Sequence, residues 1–113
     1  MKDLSPNIYR QRLVIEWYPG FTILESHIKE FLSKLSLELD MVTLIEPVTH
    51  KSEKFWWAWW IHWETSWAHF YSWENPSNFF SIDIYTCKKF DPKNASDFTN
   101  DFFKCKEIVF KSF

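Results

Sequence analysis

The run Phe55-Trp56-Trp57-Ala58-Trp59-Trp60-Ile61-His62-Trp63 limits the possible folds more than any other part of the chain. Side chains along a β-strand alternate between faces, so Phe55, Trp57, Trp59, Ile61 and Trp63 share one face and Trp56, Ala58 and Trp60 the other. Both faces are apolar over the first half of the run. Such a strand belongs in a sheet covered on both sides, because a solvated face would carry polar residues. The uninterrupted apolar stretch, Phe55 to Ile61, is far shorter than the ~20 residues of a membrane helix.

The segments around this run supply the rest of the sheet and its helices. Leu13 to Tyr18 is β-prone and is stopped by Pro19-Gly20. Thr22, three residues before Glu25, has the spacing of a capping box. Leu24, Ile28, Phe31, Leu32, Leu35 and Leu39 then recur at helical spacing and predict a helix of about four turns. Val42 to Val48 reads as a second strand, with Pro47 marking an edge or a bulge. Phe55 to Glu64, Trp67 to Trp73 and Phe79 to Cys87 are the third, fourth and fifth strands, and Asn75-Pro76-Ser77-Asn78 is the turn before the fifth. In the fifth strand Phe80, Ile82 and Ile84 alternate with Ser81, Asp83, Tyr85 and Cys87. Asn94 is placed to cap a second helix with Asp97 near its N-terminus and Ala95, Phe98, Phe102 and Cys105 on one face. Ile108 to Phe113 closes the chain as a strand, and residues 1–12 form a polar N-terminal arm.

The order β-α-β-β-β-β-α-β predicts an α+β two-layer sandwich, an antiparallel sheet with both helices on one face, in a single domain spanning residues 1–113. The other sheet face then needs a cover. A second copy of the chain is the simplest one, so a homodimer is expected.

Composition narrows the partners. With 21% aromatic residues and one glycine, the 113-residue chain can bury a core without disulfide or metal. Cys87 and Cys105 read as free thiols, and the first twenty residues lack a signal-peptide pattern, so a cytoplasmic protein is expected. A net charge of -2 argues against nucleic acid, and no segment suggests a membrane. The spacing of His27, His50 and His62 matches no metal site.

Read locally, Ser66 is a turn residue beside Glu64 and Thr65, Cys87 a thiol, and Asp83 an acid on the polar side of its strand. The wider pattern says more. His50-Lys51 through Ser66, then His69-Phe70-Tyr71-Ser72-Trp73, then Phe80-Ser81-Ile82-Asp83-Ile84-Tyr85-Thr86-Cys87, resembles the prokaryotic S-adenosylmethionine decarboxylase family. The likeness runs from Leu13 to the C-terminus, and Asp83 to Cys87 is its most specific piece.

The resemblance implies a proenzyme that cleaves itself before Ser66 and leaves a covalent pyruvoyl group there. That group would serve as the electron sink for decarboxylation of S-adenosylmethionine in spermidine synthesis. It implies that Cys87 is the proton donor, that Trp73 offers a stacking surface for adenine, that Glu74 is the ribose-binding acid, and that Asp83 lies in the substrate site. Three positions depart from the family: Thr65 replaces a Glu, Ala58 a serine that assists cleavage, and Tyr71 a histidine that takes a proton during it. Tyrosine, with an ordinary pKa near ~10, is a poor base at neutral pH. His69 on the same strand face as Tyr71, or His62 on the neighbouring strand, is the alternative. Two other functions stay open: a non-processing homologue that binds ligand or regulates an active copy, and a Trp-lined sugar- or peptide-binding module.

Overall fold

The computed structural model describes residues 2–51, 57–73 and 78–113. Six strands form one sheet in the order β2-β3-β4-β5-β1-β6, and every pairing is antiparallel. The strands are β1 (Gln11–Tyr18), β2 (Thr43–Lys51), β3 (Trp57–Trp63), β4 (Ser66–Trp73), β5 (Phe79–Thr86) and β6 (Glu107–Ser112). Helix α1 (Glu25–Glu38) carries the chain from β1 to the far edge of the sheet, and β2 to β5 then return as a meander. Helix α2 (Pro92–Phe103) steps over β1 to place β6 on the other edge. The expected α+β sandwich and its element order are both present. Pro47 lies on an edge strand, inside the register shift between Ile45 and Val48.

One sheet face and both helices share the core. Leu13, Ile15 and Trp17 of β1, Trp59, Ile61 and Trp63 of β3, Ala68 and Phe70 of β4, and Phe80, Ile82 and Ile84 of β5 are buried with Ile28, Phe31, Leu32 and Leu35 of α1 and Ala95 and Phe103 of α2. Trp17 is the hub: its ring lies 5.1 Å from Phe103, 5.5 Å from Phe70, 5.9 Å from Phe80 and 6.1 Å from Phe31. Each such side chain contributes about 1.5–3 kcal/mol by leaving water. The Trp63 indole donates to the Ser36 hydroxyl at 2.6 Å, and that hydroxyl donates to the Leu32 carbonyl at 2.9 Å, so β3 is tied to α1 by a satisfied polar pair.

Both helix starts differ from expectation. The cap of α1 is Leu24, not Thr22, and the His27 Nδ1 accepts from the Leu24 amide at 2.9 Å. Leu24 is therefore outside the apolar stripe and exposed. His27 fulfils the role assigned to Glu25, because an imidazole nitrogen three residues into the helix accepts as a carboxylate would. The cap of α2 is Asp91, not Asn94: its carboxylate accepts from the Lys93 amide at 2.9 Å, and Pro92 fills the first helical turn, where its missing N–H costs nothing. The buried face of α2 is Ala95, Ser96, Thr99 and Phe103, with Phe98 and Phe102 only partly buried. Cys105 lies beyond the helix end, and Asp97 pairs with Lys93 on the surface.

Candidate functional site

Ser66 opens β4 immediately after the turn at Glu64 and Thr65. Strand parity puts its side chain with Ala68, Phe70 and Ser72 on the helix-facing side, where it is 4% exposed. The Ser66 hydroxyl lies 2.9 Å from the Thr65 hydroxyl and 3.8 Å from the sulfur of Met41, a residue buried just after α1. The Thr65 hydroxyl lies 4.0 Å from the same sulfur. Thr65 itself is exposed, so the hydroxyls of a buried residue and an exposed one meet across the same peptide bond.

The carbonyl of that bond has its own partner. The Cys87 amide donates to the Thr65 carbonyl oxygen at 3.0 Å, and this contact joins the β3–β4 turn to the end of β5. Thr86 pairs with Ser66 in the sheet register, and its hydroxyl donates to the Lys88 carbonyl at 2.6 Å. Lys88 in turn reaches the carboxylate of Asp40 at 3.2 Å, beside Met41. Lys88, Asp40 and Met41 thus clamp the end of β5 and the turn after α1 around Ser66. The Cys87 side chain is exposed at this end of the sheet and free of any disulfide. Cys105, also free, is half-buried, and burial pushes its thiol up to about 11, which keeps it protonated and unreactive.

The other candidates stand on the opposite face. His69 and Tyr71 alternate with Trp67 and Trp73 along the outer side of β4, away from the Ser66 hydroxyl. His69 lies 4.5 Å from the Trp67 ring and 6.5 Å from that of Tyr71, and it faces Asp83 across the β4–β5 register. Burial lowers the pKa of its imidazole below the ordinary 6.5, and the charge of Asp83 only partly opposes this. The Asp83 carboxylate is held by the Arg12 guanidinium through two bonds of 3.0 and 2.7 Å. Sequence reading missed Arg12, which it placed in the arm; only the β1–β5 register brings the two charges together. It also missed Met41, since nothing local to the sequence places the end of α1 under the β3–β4 turn.

Ser66, Thr65 and Cys87 therefore meet at one end of the sheet. Trp73 stands at the far end of β4, about 23 Å from Ser66 at the usual strand rise. The aromatic surface on the outer face nearest Ser66 is Trp67 stacked on Tyr85, 5.8 Å apart. Ala58 and Tyr71 pair directly across β3 and β4, so two of the three departures occupy one cross-strand step. Glu74 lies outside the described residues, and His62 is on the outer face, stacked on Trp60.

The β-α-β-β-β-β-α-β sandwich that holds these residues has known relatives. The family model for S-adenosylmethionine decarboxylase matches residues 20–113. The chain belongs to that family. The fold agrees with the crystal structure of the adenosylmethionine decarboxylase from Aquifex aeolicus at a TM-score of 0.73, covering 94% of this chain and 89% of that one. Identity is 13%, so that likeness speaks to fold alone. Among curated protein sequences none matches significantly. As an S-adenosylmethionine decarboxylase family member, the chain would carry a pyruvoyl group made from Ser66 itself. The residues present suit that origin, because the Thr65 carbonyl is already polarised by a fixed N–H donor, the Cys87 amide.

Proposed function

We propose that this chain cleaves its own backbone between Thr65 and Ser66 and then decarboxylates S-adenosylmethionine, in the service of spermidine synthesis. The observation that carries the reading is the 3.0 Å bond from the Cys87 amide to the Thr65 carbonyl, which withdraws charge from the scissile carbonyl. The pyruvoyl group would supply an electron sink for the charge left when carbon dioxide departs. In this reading Cys87 returns a proton to the substrate carbon, and the stacked Trp67 and Tyr85 rings offer adenine a surface on the outer face of the sheet, the side that Asp83, fixed by Arg12, also faces. A second copy of the chain covers the outer face, where Tyr71 is 44% exposed among Trp60, Trp67, Trp73 and Tyr85.

A second reading, a non-processing homologue that binds ligand or regulates an active copy, is favoured by one specific observation. Among the described residues the Ser66 hydroxyl has as hydrogen-bond partners the Thr65 hydroxyl and the Met41 sulfur, and no imidazole. Trp17, Trp59 and Trp63 are core residues, so a Trp-lined binding module would rest on the outer-face Trp60, Trp67 and Trp73.

The test is release of carbon dioxide from carboxyl-labelled S-adenosylmethionine and, in parallel, from other amino acids. The proposal expects release by the wild type and none by Ser66→Ala. Equal release by both proteins, or none by the wild type with any substrate, would reject it.

A further inference from the structure

The contact between Thr65 and Ser66 has no part in the family resemblance, which places a Glu at position 65. Their hydroxyls are 2.9 Å apart. One belongs to the residue that must attack, the other to the residue whose carbonyl is attacked. Ser66 is almost fully buried and Thr65 is exposed, while among the described residues the other polar partner of both hydroxyls, the Met41 thioether, is a weak acceptor at 3.8 and 4.0 Å. The positions where the family keeps a helping hydroxyl and an imidazole hold Ala58 and Tyr71, and the Tyr71 side chain projects from the face opposite Ser66.

We propose that the Thr65 hydroxyl is the proton-relaying partner of Ser66 in the first step of self-cleavage, taking over work that Ala58 and Tyr71 cannot do. The inference rests on the self-cleavage reading above. In this step Ser66 Oγ forms an ester bond to the Thr65 carbonyl carbon as the Thr65–Ser66 C–N bond breaks. The Ser66 hydroxyl proton passes to Thr65 Oγ1, and Thr65 Oγ1 gives its own proton to the Ser66 nitrogen, which departs as a free amine. Protons balance without an outside base, and the Cys87 amide remains on the carbonyl oxygen throughout. The Met41 sulfur lies against both hydroxyls and, as a weak acceptor, leaves each free to bond the other.

The test follows ester formation itself. Full-length wild type, Thr65→Ser, Thr65→Val and Thr65→Ala are incubated with hydroxylamine, which cuts esters, and chain breakage is followed by mass. Thermal melting confirms that each variant folds, as expected for an exposed position. The proposal expects Thr65→Ser to break at nearly the wild-type rate, and both Thr65→Val and Thr65→Ala to break about 100-fold more slowly, the scale of a lost proton-transfer group. Rescue by serine is a result that a purely structural role for the threonine side chain would not give. If the wild type breaks and Thr65→Val breaks equally fast, Thr65 has no such role while the self-cleavage reading stands. If the wild type stays whole both with and without hydroxylamine, both readings fall together.

Discussion

At the scale of single residues, the site divides between two faces of one strand. Ser66 turns its hydroxyl to the helices, and His69 turns its ring to the outer face beside Asp83. The sequence shows that His69 and Tyr71 share a face, but a turn residue has no parity until the turn is known, so the side taken by Ser66 was not legible. The Arg12–Asp83 pair was hidden for a related reason: its partners are far apart in sequence and meet only through strand register. The environment of His69 makes a prediction. Its folded pKa is depressed by burial, so below about 6.5 the unfolded chain binds a proton more readily than the native one. Stability is therefore unaffected well above 6.5 and falls as the pH drops from 6.5 to the folded value. Urea melts of the wild type and His69→Gln across pH 5–8 should show this decline in the wild type and a flatter curve in the variant. Parallel curves would remove His69 as the cause.

At the scale of elements, alternation and helical spacing carried the reading and local capping chemistry did not. The β5 pattern of Phe80, Ile82 and Ile84 against Ser81, Asp83 and Tyr85 translates directly into a buried and an open face. The α1 stripe held from Ile28 to Leu39, but its start was misplaced because His27 accepts where a Glu was expected. Asp91-Pro92 outcompeted Asn94 as the start of α2 because proline favours the first turn. The single glycine shows how closely elements approach. A Cβ at Gly20 would lie 1.9 Å from the carbonyl oxygen of Lys104, and the Gly20 amide donates to the Phe103 carbonyl at 3.0 Å. Here the β1 exit is pressed against the end of α2, whose cap Lys104 is left-handed with φ 48°. Gly20→Ala should cost about 2–3 kcal/mol of unfolding free energy by denaturant titration, as overpacking against backbone does. A loss under about 0.5 kcal/mol, the range of ordinary surface changes, would mean that the approach is looser than the structure has it.

At the scale of the whole molecule, the described residues cover one face of the six-stranded sheet, and the other face carries Trp60, Trp67, Tyr71, Trp73 and Tyr85 among its polar groups. The double apolar alternation of the Trp-rich run already announced this, although residues 52–56, which contain its beginning, lie outside the described segments. If a second copy covers that face, sedimentation should give twice the 13.9 kDa chain mass, and Tyr71→Glu should return a folded monomer. A wild-type monomer at tens of micromolar concentration would leave the face to some other cover. The same scale contains the central claim, because self-cleavage changes the chain itself. Intact mass under denaturing conditions, after long incubation of the purified protein, tests it most directly. The account predicts two fragments, one ending at Thr65 and one beginning at residue 66 with a blocked N-terminus, and an unbroken chain for Ser66→Ala. A single wild-type species that stays at 13.9 kDa would contradict it.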